Sequence, residues 1–228
     1  MKIFKYIVLV FISLSVLAIL LVRAIDLYPS SKSDYTISGI DISHHNEISN
    51  WLELREQIKF CIIKATEGGS FIDPRFTTNW VNCRKNKIIC GAYHFFTPGI
   101  SAEKQFSNYK NHVKLISKDL PPILDVELTG FSINEVNKWL DLAYKHYKVK
   151  PIVYTDYFFF KLYMEGRIRD CGIWIYINNK YELKPSFNDL ECVFWQYNQK
   201  GKVKGINGEV DLDVFLGDIN SFNKIQID

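Results

Sequence analysis

Two acids separated by one residue are the side chains of this sequence best suited to chemistry. They follow the apolar run 121–124, as Asp125 and Glu127. Because side chains alternate faces along a strand, both acids would point to the same side, roughly 6 to 7 Å apart along the chain. Two carboxyl groups at that spacing can divide into a proton donor and a charged partner, which is the chemistry of glycoside hydrolysis. The alternative interpretation is a pair of exposed strand-end carboxylates without a catalytic role. The rest of the sequence is needed to choose between the two.

Strand and helix patterns alternate from residue 37 onward. Eight apolar, strand-like runs cover residues 37–42, 60–66, 88–95, 122–126, 151–155, 172–177, 192–197 and 209–215. The clearest helix follows the fourth run, where Ser132 and Glu135 form a capping box. Another helix is predicted from Asp73-Pro74, and a third covers about 102–116. The segments between the last three runs are too short for good helices.

This alternation predicts an α/β fold with a parallel sheet covered by helices. Eight strands in a domain of this length indicate a modified TIM-like (β/α) barrel whose last third lacks helices. An open doubly wound sheet is the structural alternative. That fold calls for a glycine-rich phosphate-binding turn after the first strand, and the segment 41–45, Asp-Ile-Ser-His-His, is not one.

The amino terminus is a separate unit. Residues 6–22 are apolar except for Ser13 and Ser15, and Lys2 and Lys5 precede them. The pattern predicts a cytoplasmic segment 1–5, a transmembrane signal-anchor 6–22, a linker 23–36, an extracytoplasmic barrel 37–218 and a tail 219–228. A signal peptide cleaved near residue 24 is the alternative, and it leads to a secreted protein.

Composition excludes several function classes. The 28 Lys and Arg residues nearly balance the 25 Asp and Glu residues, so there is no electrostatic footprint for nucleic acid. Neither a metal nor another cofactor is expected, since the five cysteines show no CxxC spacing and His44 and His45 belong to no spaced ligand set. The sequence does not decide whether Cys171 and Cys192 form a disulfide bond.

Acids and aromatic residues gather where the predicted strands end. In a parallel barrel, reactive groups lie at the carboxyl ends of the strands. Aromatic rings can cover the C–H faces of sugars, while carboxylates bind hydroxyls and move protons. Trp174 and Trp195 are therefore interpreted as candidate sugar contacts, whereas Trp80 and Trp139, at helical spacing, are interpreted as core.

Six short motifs occur in a specific order. They are Gly39-Ile40-Asp41-Ile42-Ser43, Ile62-Ile63-Lys64-Ala65-Thr66-Glu67-Gly68, Gly91-Ala92-Tyr93-His94-Phe95, Pro122-Ile123-Leu124-Asp125-Val126-Glu127, Trp195-Gln196-Tyr197 and Gly208-Glu209-Val210-Asp211. Together they resemble glycoside hydrolase family 25, the Chalaropsis-type lysozymes, over residues 37–216. The resemblance implies a barrel with five βα units and three further strands. It also implies cleavage of the β-1,4 bond from N-acetylmuramic acid to N-acetylglucosamine in peptidoglycan.

The same resemblance implies roles for individual residues. Glu127 is expected to be the general acid and Asp125 its catalytic partner, with the remaining candidates lining the groove: Asp41 and Asp211 as supporting acids, and Tyr93, Tyr154 and Trp174 as sugar contacts. Peptidoglycan glycan strands are the expected partner of a monomeric catalytic domain. Two departures from the family pattern, at Asn46 and at Trp174-Ile175-Tyr176-Ile177-Asn178, leave open a second interpretation, an inactive peptidoglycan-binding module.

Overall fold

The computed structural model describes residues 35–178 and 191–228. The strands, in chain order, are β1 (Ser38–Ile42), β2 (Glu47–Ile48), β3 (Phe60–Glu67), β4 (Phe71–Ile72), β5 (Ile89–Phe95), β6 (Ile123–Asp125), β7 (Ile152–Asp156), β8 (Gly172–Tyr176), β9 (Cys192–Gly201), β10 (Ile206–Asn207) and β11 (Val210–Phe215). Eight of them form one closed wall, in the order β1-β11-β9-β8-β7-β6-β5-β3, and β1 also pairs with β3. The predicted eight-stranded barrel is confirmed.

Seven strands of the wall run parallel to one another: β1, β3, β5, β6, β7, β8 and β9. The eighth, β11, runs antiparallel to both β9 and β1. The carboxyl ends of the parallel strands therefore meet at one end of the barrel, which we call the upper end. Their amino ends meet at the lower end. The polar side chains after β1, β3, β6 and β7 are brought together at the upper end by this topology.

The helices lie between these strands. They are α1 (Trp51–Arg55), α2 (Phe76–Lys85), α3 (Ala102–His112), α4 (Ile133–Tyr147), α5 (Tyr157–Phe159, continued by the π-helical turn Phe160–Met164) and α6 (Ile219–Ile225). Between β9 and β11 the chain forms only the short strand β10, as the shortness of that segment predicted.

One local prediction was wrong. Helix α4 begins at Ile133 as expected, but the Ser132 side chain makes no capping hydrogen bond. The Glu135 carboxylate instead accepts a hydrogen bond from the Ala102 backbone N–H, at 2.6 Å, at the start of α3. Because α3 and α4 pack together, Glu135 satisfies an unpaired amide of the neighbouring helix rather than one of its own.

The lower half of the barrel interior is filled by large apolar side chains. Phe60, Phe194 and Phe215 are buried there, and Phe222 of α6 packs against all three from below. Phe222 is completely buried. Within the predicted tail 219–228, α6 therefore completes the core at the lower end.

The predicted anchor at residues 6–22 and most of the linker lie outside the described residues. Within residues 35–178 and 191–228, no helix combines the length and apolar character that crossing a bilayer requires. All five cysteines are free thiols, so no bridge joins Cys171 to Cys192.

Candidate active site

A polar cavity of about 110 Å³ opens at the upper end of the barrel. Its lining consists of Asp41, Tyr93, Asp125, Glu127, Tyr154, Trp174, Gln196, Gln199 and Asp211. Seven of the eight residues predicted from the sequence are in this set, although they come from six different strands or strand ends. The exception is Trp195.

Asp125 and Glu127 lie side by side at the end of β6. The backbone around them is fixed by Phe96, whose N–H donates to the Asp125 carbonyl at 2.8 Å, and by Val126, whose N–H donates to the Tyr154 carbonyl at 3.0 Å. Asp125 is 6% exposed, whereas Glu127 is exposed at the mouth of the cavity. Each of the two carboxyl groups changes the pKa of the other.

The surroundings raise the pKa of both groups. Burial raises the pKa of Asp125 well above its usual range, and the charge of Glu127 raises it further. Loss of water around the Glu127 carboxyl raises the pKa of that group as well, with a contribution from Asp156. The Oδ1 atom of Asp125 is buried and has no hydrogen-bond donor among the described residues. A carboxyl group with a raised pKa and an unused oxygen is a candidate for substrate contact.

Lys64 supplies a positive charge that opposes these shifts. Its ammonium group donates to Glu67 at 2.7 Å and lies 4.8 Å from the centre of the Phe95 ring. The charge lowers the pKa of both Asp125 and Glu127. Lys64 was not predicted as a site residue, because its influence depends on the neighbouring strands rather than on sequence spacing.

A second pair of carboxyl groups forms the opposite wall. Asp41 on β1 and Asp213 on β11 likewise change the pKa of each other. Three fixed side chains hold this pair: Gln196 Nε2 donates to Asp41 at 2.6 Å, Trp174 Nε1 donates to Asp213 at 2.9 Å, and the Tyr154 hydroxyl donates to Gln196 at 2.7 Å. Burial, reinforced by neighbouring acids, raises the pKa of both Asp41 and Asp213.

Asp211 and Tyr93 complete the electrostatics of the cavity. Burial, with the charge of Glu127, raises the pKa of Asp211 to about 6. Burial and the charges of Asp41 and Asp125 raise the pKa of the Tyr93 hydroxyl, so Tyr93 remains a neutral hydrogen-bonding group. The cavity therefore holds protons more readily than separate surface acids do.

The structure does not bring Trp195 to the cavity. Its ring is 1% exposed in the outer core, next to Tyr35, and its Nε1 donates to the Ile177 carbonyl at 2.9 Å. Alternation along β9 explains the error, since adjacent strand residues face opposite sides and Gln196 takes the inward position. Strand alternation could therefore have predicted that Gln196 faces the interior of the barrel. Trp80 and Trp139 lie in the core, as predicted.

The two adjacent histidines contact each other, and His44 also contacts Asp73. His44 Nδ1 lies 2.7 Å from Asp73 Oδ2, and its backbone N–H donates to the same oxygen at 3.0 Å. The His45 ring packs 3.9 Å from the His44 ring, measured between centroids. Among residues 35–178 and 191–228, no group of three or more His, Cys, Asp and Glu side chains has the arrangement of a metal site.

Comparison with known proteins decides the family. Residues 40–206 match the profile of glycosyl hydrolases family 25. This chain belongs to glycosyl hydrolase family 25. Protein YegX of Escherichia coli K12, a relative, is 35% identical over 198 residues, which cover 82% of this chain and 72% of YegX. Lysozyme M1 of Streptomyces globisporus is 28% identical over 201 residues, covering 79% of this chain and 68% of the relative.

Solved structures of family 25 have the same architecture. The family 25 glycosyl hydrolase from Bacillus anthracis superposes with a TM-score of 0.75 at 30% identity, covering 87% of this chain and 97% of that one. A bacterial lysozyme from Streptomyces coelicolor gives 0.74 at 26% identity, covering 83% and 96%. As a family 25 member the chain is a glycoside hydrolase.

Proposed function

We propose that this enzyme is a lysozyme that hydrolyses the β-1,4 bond from N-acetylmuramic acid to N-acetylglucosamine in peptidoglycan. The observation that carries the proposal is the pairing of Asp125 and Glu127, two neighbouring carboxyl groups with raised pKa that line an aromatic and acidic cavity. Relatives named lysozyme M1, autolytic lysozyme and N,O-diacetylmuramidase support the choice of substrate.

A proton held by the catalytic pair is the starting point of the mechanism. Burial raises the pKa of both Asp125 and Glu127, so the pair holds a proton more readily than separate surface acids do. A glycan whose acetamido N–H donates to Asp125 favours the charged form of that carboxyl. In the complex the proton therefore lies on Glu127, which faces the glycosidic oxygen as general acid.

The acetamido carbonyl of the substrate then attacks its own anomeric carbon. A new C–O bond forms there, the glycosidic C–O bond breaks, and the Glu127 proton goes to the leaving oxygen. Asp125 orients the acetamido group and stabilises the positive charge that develops on it. Water opens the cyclic intermediate and returns a proton to Glu127. This route retains the anomeric configuration.

The 2-acetamido group of the substrate favours retention over inversion. Inverting enzymes place a water between carboxyl groups about 6.5 to 9.5 Å apart, whereas here the acetamido carbonyl is an internal nucleophile and the first step needs no water. Proton NMR of the first-formed product tests this step, and we expect the β-anomer. An initial α-anomer would overturn retention, and a glycosyl ester trapped on Asp125 would overturn the part assigned to the substrate.

Product analysis tests the overall function. Purified peptidoglycan is incubated with the protein, new reducing ends are reduced with borohydride, and the sugar alcohols are identified after acid hydrolysis. We expect muramitol, because the muramic acid residue carries the newly freed anomeric carbon. Glucosaminitol would instead indicate cleavage of the other glycosidic bond. Binding to peptidoglycan without any new reducing end would favour the alternative, an inactive binding module.

The place of action follows from the amino-terminal sequence. We infer that residues 6–22 hold the enzyme in the cytoplasmic membrane, with the barrel on the extracytoplasmic side, as the apolar run and the preceding lysines indicate. The full chain should stay in the membrane fraction through a carbonate wash and keep its first residues. A soluble product that begins near residue 24 would show a cleaved signal peptide instead.

A further inference from the structure

Lysine side chains concentrate at the lower end of the barrel, opposite the catalytic cavity. They occupy the turns that lead into the parallel strands and the helix beneath them: Lys59, Lys87, Lys118, Lys148, Lys150 and Lys224. All of them except Lys150 are exposed. Lys150 forms ion pairs with Asp170 and Glu191, whereas none of the other five takes part in an ion pair with any described residue. We call this set the lower lysine face.

Three of these lysines have an unfavourable backbone conformation. Lys87, Lys118 and Lys148 have φ angles of 58°, 73° and 61°, and they are the only residues other than glycine with positive φ in the described part of the chain. Glycine or asparagine is the usual residue at such positions, because a side chain there clashes with its own backbone. The backbone alone therefore does not account for lysine at all three positions.

Helix ends explain this pattern only in part. Lys148 caps the carboxyl end of α4, and Lys87 follows α2 closely, so each lies near the negative end of a helix dipole. Lys118 does not follow a helix end. It lies six residues beyond His112, the last residue of α3, and its N–H donates to the Ile227 carbonyl near the carboxyl terminus. What the three positions share is exposure at one end of the molecule.

A cavity of about 470 Å³ opens within the lower lysine face. Lys148, Lys150 and Lys224 line it together with the apolar side chains of Pro121, Ile152 and Val193 and with Glu191, which is paired with Lys150. The remaining positive charge of Lys148 and Lys224 beside apolar walls matches a phospholipid, whose phosphate is anionic and whose glycerol and first acyl carbons are apolar. A purely anionic polymer has no apolar groups that would pack against these walls.

Acids surround the catalytic cavity at the upper end. Glu67, Asp156 and Asp211 accompany the catalytic acids there, together with the positive charges of Lys64 and Lys200. An anionic surface is therefore repelled by the acids around the cavity and attracted by the lower lysine face. The first barrel strand also starts at the lower end, at Ser38.

We propose that the lower lysine face docks on the surface of an anionic phospholipid bilayer and directs the catalytic cavity away from the membrane. The docking is independent of whether the catalytic proposal above is correct. It orients the barrel so that the groove meets a polymer lying beyond the membrane. Lysines near an anionic bilayer strengthen binding by roughly fivefold each, so several together are needed for a stable orientation.

Lysine acylation mapped by mass spectrometry tests the docking on the full chain. The protein is reconstituted in vesicles of phosphatidylcholine alone or with about one third phosphatidylglycerol. On anionic vesicles we expect Lys87, Lys118 and Lys148 to react roughly fivefold more slowly, with recovery at high salt. Lys104, Lys138 and Lys161, on the helices away from the lower end, serve as internal references and should react equally on both vesicles. Equal rates for all six lysines on both membranes would overturn the proposal.

A matched pair of variants separates charge from folding. Lys87→Asn with Lys118→Asn and Lys148→Asn removes three charges and keeps residues that tolerate positive φ, so the fold and the hydrolysis of soluble glycan fragments should be unchanged. The remaining Lys59 and Lys224 should then react at the same rate on both vesicles. The control, Lys104→Gln with Lys138→Gln and Lys161→Gln, loses the same charge and should still dock. If soluble polyphosphate protects the lower lysine face as well as anionic vesicles do, the surface binds a polymer and the bilayer proposal is wrong.

Discussion

Two pairs of carboxyl groups lie at one cavity, and they are held differently. Asp41 and Asp213 are both buried and receive hydrogen bonds from Gln196 and Trp174, although Asp213 Oδ2 has no donor among the described residues. Asp125 is buried, its Oδ1 likewise has no donor among the described residues, and its partner Glu127 is exposed. The first pair is therefore held by two fixed side-chain donors, whereas no described side chain outside the second pair donates a hydrogen bond to Asp125 or Glu127.

This difference indicates which carboxyl pair positions the groove and which takes part in the reaction. A carboxyl pair that receives hydrogen bonds from fixed side chains is held in place, so it acts by holding the wall of the groove. A pair without such donors and with raised pKa gains hydrogen bonds when substrate arrives. We therefore assign proton transfer to Asp125 and Glu127, and positioning of the groove to Asp41 and Asp213. Four predictions test this division.

The largest effect is expected for Glu127→Gln. The amide has nearly the shape of the acid but cannot give a proton to the leaving oxygen, so turnover of peptidoglycan should fall by about 10³-fold or more. Binding of glycan fragments and the unfolding midpoint should change little. Glu165→Gln, which alters an exposed acid paired with Lys161, is the matched control and should keep full turnover. A Glu127→Gln enzyme within a few-fold of wild type would refute the assignment.

Asp125→Asn should cost somewhat less activity, on the order of 10²-fold, because the amide can still accept a hydrogen bond but cannot stabilise positive charge. The free energy of unfolding of Asp125→Asn at neutral pH should instead be higher than that of wild type. Folding raises the pKa of Asp125, so this group stabilises the fold fully only below its unfolded pKa, and the contribution is lost as pH rises through the folded pKa.

Denaturant unfolding between about pH 4 and pH 7 checks the stability part of this prediction. Wild type should lose stability as pH rises across that range, to which Asp211, with a pKa of about 6, also contributes. Asp125→Asn should lose less and be the more stable protein at neutral pH. Asp141→Asn, at an exposed site, should follow the wild-type pH dependence. A variant that is less stable than wild type at neutral pH would show that Asp125 belongs with the anchored pair.

Trp174→Phe should show the converse pattern. It removes the N–H that reaches Asp213 and leaves a buried carboxyl with one donor fewer, so the free energy of unfolding should fall by about 1 to 3 kcal/mol. Activity should fall only about tenfold, through a loosened groove. Tyr109→Phe removes a buried hydrogen bond to the Ala92 carbonyl, far from the cavity, and should lose stability without losing activity. Loss of activity in Trp174→Phe as large as in Asp125→Asn would abolish the distinction between the pairs.

Most of the barrel could be predicted from local pattern, because each strand is an apolar run and each intervening helix has its own period. The position of Asp125 and Glu127 followed from strand alternation alone. Asp213 and Trp174 could not be paired in advance, since 39 residues separate them and a bulged register of β11 brings them together. Trp195 was misplaced because the inward face of β9 was not assigned. The partner of Glu135 likewise lies on another helix, beyond the reach of a local capping rule.

The smallest effect is expected for Lys64→Met, and it concerns pH rather than rate. The Lys64 ammonium group lowers the pKa of both members of the catalytic pair, against the effect of burial. Without it, the two carboxyl groups should hold their protons to higher pH, and the unpaired Glu67 should add to the change. The pH profile of kcat/KM should then shift upward, while the maximal rate changes only a few-fold. Lys64→Arg keeps the charge and should keep the wild-type profile. Because Asp125 also contributes to stability, the pH dependence of unfolding should shift in the same direction in Lys64→Met. An unchanged activity profile in Lys64→Met would show that the charge of Lys64 does not reach the catalytic pair.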